Sequence, residues 1–395
     1  MTPAPHGTER SPAGDSSERV VLGIESSCDE TAASVVVGGR IVLSNIISSQ
    51  HDLHAEYRGV VPEIASRAHA ERITPVVREA LTQAGVTLAQ IDAVAVSVRP
   101  GLIGSLLVGV SAAKALAWSL RRPLVGVDHV QAHLVAGLLA RRPAGGGAMD
   151  VPSLTDEHAM FPALGLVVSG GHSSIFLMRS PLSITTLGGT RDDAIGEAYD
   201  KAAAILGLPY PGGPIVDRLA RNGRPDTVKF PISRLEPGSL DFSFSGLKTA
   251  MLYHVHGVPT TRGRGGTAAI ELNERSIADA CASFQAAAVG AVILKLDRAL
   301  EVCHNARTLF VGGGVSANSL LRSRLQSMAT ERGLRIVLPS MEFCLDNGAM
   351  IAALGHRTLA ARGWMSDPFT ISASPMSAIA HEVAGSGTLE VPRRP

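Results

Sequence analysis

The chain has 395 residues, a length for two or three domains of ~100–200 residues each. Apolar residues make up 45% and charged residues 18%, which suits a globular chain with a real core. The formal net charge is +1 and aromatics are only 4%. These values exclude a strongly basic chain and argue against an RNA-binding sheet built on base-stacking aromatics, so an RNA partner would need a local basic patch.

The first 19 residues are polar and Pro/Ser-rich, lack the apolar core of a signal peptide and read as a disordered tail. Order is expected to begin at "RVVLGIESSCDETAASVVVGGRIVLSNIIS". There, β-rich runs at about 20–25, 31–37 and 41–47 predict an antiparallel meander. A helix ending at Gly85 follows, then the strand "IDAVAVSV", the loop "RPGLIG" and the helix "SLLVGVSAAKALAWSL". The short strand "LVGV" feeds a helix in "VDHVQAHLVAGLL". Residues 141–160 are Gly/Pro-rich and read as a linker or surface insertion.

A second strand–turn–strand–turn–strand run occupies "FPALGLVVSGGHSSIFLMRSPLSITTLGG". Helices are then expected in "DDAIGEAYDKAAAILGL", "SFSGLKTAMLYHVH" and "RSIADACASFQAAAVGAVILKLDRALEV", with a loop over 256–273 between the last two. "TLFVGGGVSANSLLRSRLQSMA" and "LRIVLPSMEFCLDNGAMIAALGHRTLA" each read as strand, loop, helix. The recurring meander suggests a duplicated two-lobed α/β fold: an N-terminal lobe over 20–140 completed by the helix at 347–362, and a C-terminal lobe over 161–346. The segment 363–395 reads as a mostly disordered tail.

The four cysteines, Cys28, Cys281, Cys303 and Cys344, form no CxxC pair, so a reducing cytoplasm fits best. No apolar run is expected to reach the ~18 residues of a membrane helix, so no membrane partner is expected.

Several stretches carry chemistry. Asp128 suits an N-cap, which places His129 and His133 one turn apart on one helical face. The zinc-protease motif needs Glu after the first histidine, and Val130 stands there. Two histidines do not close a metal site alone, and Asp346 in "EFCLDNGAM" offers a third ligand. "VVSGGHSS" and "FVGGGVSAN" could bring backbone N–H groups to a phosphate; a plain hairpin turn explains the first equally, while the strand–glycine–helix order of the second favours the phosphate over a tight turn. Neither a Rossmann nor a P-loop pattern is present. Asp200 and Asp217, beside Gly212 and Gly213, could grip ribose hydroxyls or simply face solvent. "IESSCDETA" packs Glu25, Asp29 and Glu30 together, which calls for a cation or a mobile proton nearby. His51, His54 and His69 sit among Glu56, Glu63 and Arg67; a structural polar network is the simpler reading and a second metal site the other.

Eight of these stretches, in order over about 20–362, resemble one family, the TsaD-type tRNA threonylcarbamoyladenosine transferases. They include "VLGIESSCDETAASVV", "DHVQAHLVAG", "LVVSGGHSS", "YPGGPIVDRLA", "GGGVSANSLLR" and "EFCLDNGAMIA". The resemblance implies the actin/Hsp70/sugar-kinase (ASKHA, RNase H-like) α/β fold, with a nucleotide cleft between two lobes. It implies transfer of threonylcarbamoyl from threonylcarbamoyl-AMP to N6 of the adenosine 3′ of the anticodon, in tRNAs reading ANN codons. It also implies one metal ion per subunit, iron(II) ahead of zinc, on His129, His133 and Asp346. The adenylate site falls on Val167, Val168, Ser169, Gly170, Gly171, Asp200, Gly213, Asp217 and Asn318.

Asp29 and Glu30 are the candidates for taking the N6 proton. In bacteria the implied partners are tRNA, a degenerate paralogue, a small P-loop ATPase and a separate adenylate-forming synthase. The helix at 63–82 is a candidate docking surface through Ile73, Val77 and Leu81, unless these are core. Arg121, Arg122, Arg141, Arg142, Arg262 and Arg264 are candidate tRNA contacts. Arg58 and Arg99 depart from the family's glycines and could contact tRNA, narrow the cleft or be tolerated surface changes. The competing reading is an ATP-hydrolysing or sugar-kinase-like phosphotransferase of the same fold.

Overall fold

Val20–Glu25 (β1), Glu30–Val37 (β2) and Ile41–Ser49 (β3) form the expected antiparallel meander. Ala93–Arg99 (β4) and Leu124–Asp128 (β5) add to it in parallel, and Ala140–Arg141 (β6) closes the far edge, giving the order β5-β4-β1-β2-β3-β6. Ala163–Val168 (β7), Ser173–Ser180 (β8), Ser183–Gly189 (β9), Thr308–Gly312 (β10), Arg335–Val337 (β11) and Ala380–His381 (β12) repeat that arrangement as β11-β10-β7-β8-β9-β12. Two sheets with one topology confirm the duplicated α/β fold. The computed structural model describes residues 16–57, 59–141, 157–233, 235–257, 268–364 and 370–381.

The helices of the first lobe are His51–His54 (α1), Pro62–Ala84 (α2), Ile103–Leu120 (α3) and His129–Val135 (α4). Those that follow are Ile195–Ile205 (α5), Gly212–Ala220 (α6), Ser245–His256 (α7), Glu274–Val302 (α8), Ser319–Arg332 (α9) and Gly348–Ala361 (α10). One apolar cluster lies under α2 and α3 and another under α5–α9. A third joins both sheets through α4 and α10. The central strands are apolar on both faces because each sheet is covered twice.

That joining layer explains the composition of α10, "GAMIAALGHRTLAA", which is buried on nearly every side. Its small residues let it lie against the first sheet. A Cβ on Gly348 would stand 2.6 Å from the Gly23 carbonyl oxygen and the Ser34 amide nitrogen, and a Cβ on Gly23 would run into the Gly348 carbonyl. Gly348→Ala is therefore expected to lower stability by about 1–3 kcal/mol in denaturant unfolding.

Two expectations are refined and one needs correction. Part of the segment read as a tail is ordered: Ser374 N–H bonds the Val98 carbonyl at 2.8 Å, Ser377 Oγ bonds Asp128 Oδ2 at 2.6 Å, and β12 pairs with β9. Ile371 and Ala373 anchor it against the cluster under α2 and α3, a pattern that its Pro/Ser content masks. The 141–160 insertion is ordered at both ends, where Arg141 lies in β6 and Glu157 pairs with Arg357 at 3.1 Å; its middle, 142–156, lies outside the described residues. Finally, α3 and α8 are both long and apolar enough to cross a membrane. Lys114 interrupts the apolar run of α3 without making the helix polar. α8 is mostly buried in the core, and α3 packs one side on β4 and α2.

Candidate active site

β5 delivers the chain into α4, and Asp128 caps the helix by accepting from Val130 N at 3.0 Å and Gln131 N at 3.2 Å. The cap fixes the helix phase, so the rings of His129 and His133 lie 4.7 Å apart and nearly perpendicular. Asn347 caps α10 by accepting from Met350 N at 2.9 Å, which holds Asp346 just ahead of that helix. Asp346 Oδ1 stands 3.0 Å from His133 Nε2 and 3.6 Å from His129 Nε2. With bonds of about 2.1 Å, neighbouring ligands around one metal lie about 3.0–3.4 Å apart, so this spacing fits a shared ion. Two imidazoles and a carboxylate suit iron(II) or zinc rather than magnesium.

Beneath the triad, Glu25 accepts from His129 Nδ1 at 2.8 Å and is itself held by Ser97 Oγ at 3.0 Å and by the Ser27 amide. A carboxylate in this position orients the imidazole so that Nε2 faces the site. The sequence groups Glu25 with Asp29 and Glu30; the structure separates it, because Glu25 ends β1 and is fully buried beneath His129, whereas Asp29 and Glu30 lie beyond the turn and line the cleft beside His51. Burial pulls the His129 imidazole down, but Asp346 and Glu25 outweigh it and hold the ring up at about 10. Burial would raise Asp346, yet His129 and His133 keep it well below the usual carboxylate range. The cluster is thus built around a positive charge.

The triad opens into a cleft of about 790 Å³ between the lobes, also lined by Ser169, Gly170, Gly171, Asp200, Gly213, Asp217 and Asn318. In the Ser-Gly-Gly turn, Ser169 N–H bonds the His172 carbonyl at 2.8 Å. The Gly170 and Gly171 Cβ positions face open space, so a ligand can approach the backbone there. Gly196, at the start of α5, bonds the Ser169 carbonyl at 3.1 Å and braces the turn.

Several sequence-predicted residues also hold the local structure together. Val167 and Val168 bury their side chains in different cores on opposite faces of β7 and do not line the cleft. Asp200 Oδ1 accepts from Gly212 N at 2.7 Å and Gly213 N at 3.3 Å. Asp217 Oδ1 accepts from Ser319 Oγ at 2.7 Å and Gln285 Nε2 at 3.2 Å, and Asn318 caps α9. Of the triple glycine, Gly312 packs against the His133 backbone and Gly313 against the Val168 carbonyl; only Gly314 lines the cleft. A 3-10 turn over Gly314–Ala317 separates these glycines from α9.

On the N-terminal side, Asp29, Glu30 and His51 bring one side-chain N or O atom each to within 4.8 Å of one another. His51 Nε2 lies 3.3 Å from Glu30 Oε1 and 3.9 Å from Asp29 Oδ2. Burial lifts the Glu30 carboxyl to about 8, with Asp29 and Asp346 adding to the rise and His51 opposing it. His54 and His69 belong to a structural network instead. His69 bonds Thr31 Oγ1 at 2.7 Å and the Cys28 carbonyl at 2.9 Å, while His54 bonds Gln50 at 3.3 Å. Arg99 lines a separate cavity of about 490 Å³, so it does not narrow the main cleft. Arg141 is paired with Glu342 at 2.7 Å. Arg58, Arg142, Arg262 and Arg264 lie outside the described residues.

A family model described as TsaD: tRNA N6-adenosine threonylcarbamoyltransferase matches residues 41–353. The chain is 49% identical over 342 residues to the tRNA N6-adenosine threonylcarbamoyltransferase of Trichlorobacter lovleyi, covering 87% of this chain and 92% of that one. It is 50% identical over 340 residues to the protein of the same name from Symbiobacterium thermophilum, covering 86% and 92%. Among solved structures, full-length HypF in its phosphate- and nucleotide-bound form aligns with a TM-score of 0.52 at 13% identity, over 88% of this chain and 47% of that one. That likeness bears on the fold alone, which is the two-lobed ASKHA arrangement.

Proposed function

The chain belongs to the tRNA N6-adenosine threonylcarbamoyltransferase family, and from that premise we propose that its cleft takes threonylcarbamoyl-AMP as donor and the adenosine 3′ of the anticodon as acceptor. The modification of tRNA adenosine at N6 is the family's activity; donor, position, metal and partners are our reading. The carrying observation is that His129 and Asp346, grouped with the buried His133, line the same cleft as the open Ser-Gly-Gly turn.

His129, His133 and Asp346 would hold a single ion, iron(II) ahead of zinc, which supplies Lewis acidity toward the threonylcarbamoyl end. The backbone N–H groups of Gly170 and Gly171 are placed to bind the phosphate, with Gly213, Asp200, Asp217 and Asn318 shaping the nucleoside end. The N6 amine attacks the carbamoyl carbon, the bond from that carbon to the phosphate oxygen breaks, and AMP leaves with the electron pair. Asp29 or Glu30 accepts the N6 proton. The phosphotransferase alternative is not favoured, since two imidazoles are poor magnesium ligands. Incubating the protein with threonylcarbamoyl-AMP and tRNA, with and without partner proteins, tests the reading; equal amounts of AMP and modified adenosine are expected. AMP release without modified tRNA would count against it.

Glu25→Gln keeps the shape beneath His129 but removes the charge. It is expected to weaken metal affinity roughly 10–100-fold in chelator competition.

The partners we propose are the degenerate paralogue, the small P-loop ATPase and the adenylate-forming synthase, in the cytoplasm. Docking through Ile73 and Val77 of α2 is not supported, since both are buried in the core and Leu81 packs against it. The neighbouring α3 exposes Ile103, Leu107 and Trp118, the last at 70%. An exposed apolar face of this kind suits a protein partner. Trp118→Asp is expected to abolish paralogue binding by gel filtration while leaving the thermal unfolding midpoint within about 2 °C, as surface changes generally do.

A further inference from the structure

Donor and metal residues leave one corner of the cleft unassigned. It is formed by Tyr210, two residues before α6, and His51 of α1, with Asp29 and Glu30 beside it. Resting on the transfer reading above, we propose that this corner seats the acceptor base: Tyr210 stacks on the adenine, Asp29 and Glu30 accept from its exocyclic amine, and His51 positions Glu30.

Three observations meet here. First, Tyr210 and His51 come from different lobes and touch across the cleft, with ring centroids 6.0 Å apart and planes at 88°. A perpendicular pair uses the face of one ring and the edge of the other, so broad ring surface remains available. Second, the other tyrosine on the cleft wall, Tyr199, is 1% exposed and bonded to Gln285. Tyr210 is partly exposed, so among the described residues it supplies the accessible phenol ring of the cleft. Third, the corner is acidic: His51 Nε2 is 3.3 Å from Glu30 and 3.9 Å from Asp29.

The chemistry of the acceptor asks for these features. A base drawn out of an RNA loop loses its stacking neighbours and needs a replacement π surface. Tyrosine provides one without reading sequence. Selection then falls to the base edge. Ionised carboxylate oxygens accept hydrogen bonds from an exocyclic amine and repel a keto oxygen at the equivalent place. Adenine presents an amine there and guanine a keto group, so the corner favours the base that carries the nucleophile. His51 has no need to touch the base; its ring fixes the Glu30 carboxyl from the side.

The test is steady-state transfer by the full assembly that supports wild-type activity, with tRNA and donor varied separately. Tyr210→Ala is expected to raise the tRNA KM about tenfold and to leave the donor KM unchanged, with Tyr210→Phe restoring the wild-type value. His51→Gln is expected to lower kcat with little change in the donor KM, and His51→Asn, which is too short to reach Glu30, to lower it further. Should Tyr210→Ala fail to fold, Tyr210→Leu removes the π face while keeping most of the volume. Wild-type inactivity with threonylcarbamoyl-AMP would overturn the transfer reading and this proposal with it. An active wild type with an unchanged tRNA KM in the Tyr210 variants overturns the acceptor seat alone. So does an equal rise in donor KM, which would assign Tyr210 to the donor.

Discussion

His133→Ala is expected to purify without stoichiometric metal and to transfer threonylcarbamoyl at least about a thousandfold more slowly than wild type. The loss of one of three protein ligands leaves an incomplete site. Lewis-acid assistance of about 4 kcal/mol corresponds to that factor in rate. The variant also opens a hole, since His133 is fully buried and Gly312 packs against its backbone. Asp346→Asn separates the two effects: it keeps the volume, and the Asp346 side chain is 18% exposed. Both variants should lose metal and activity, measured by elemental analysis and single-turnover transfer, while only His133→Ala loses stability. An Asp346→Asn protein with wild-type metal content and rate would remove Asp346 from the ligand set.

The second large effect concerns proton transfer. Glu30→Gln and Asp29→Asn, shown to be folded, are expected to slow single-turnover transfer by about 10²-fold or more for whichever carboxylate takes the N6 proton. Burial and the neighbouring acids hold Glu30 at about 8. A base must be ionised to accept, so the working fraction grows as pH rises toward 8 and levels off above it. Transfer should therefore climb about tenfold per pH unit below that value, and Glu30→Gln should flatten the climb. A pH profile unchanged by Glu30→Gln, at near-normal rates for both variants, would remove the two carboxylates from the chemistry.

Much of this was legible in the sequence because it is local. The Asp128 cap and the four-residue histidine spacing fix one face of one helix, so the pair in α4 follows from pattern alone. The meanders follow from apolar runs broken by glycine turns. What was hidden is non-local. Glu25 and His129 are 104 residues apart, and nothing in either stretch shows that β1 places one beneath the other. Val167 and Val168 sit beside the Ser-Gly-Gly turn in sequence, yet they face two cores because strand side chains alternate. The glycines of "VGGG" signal close approach of backbone, but sequence does not say to what. Gly312 and Gly313 meet protein, and Gly314 meets the cleft. The segment at 370–381 was lost for the opposite reason, since its few apolar anchors are diluted by proline and serine.

The most direct test of a metal-assisted transferase cleft is to strip the protein of metal, add iron(II) or zinc in measured amounts, and follow AMP and modified tRNA together. Transfer should be negligible at the start, rise with added metal and level off at one equivalent per chain, with AMP and modified adenosine formed one for one. Metal-free protein that transfers at the full rate, or restored protein that turns over ATP and leaves tRNA unmodified, would contradict the account.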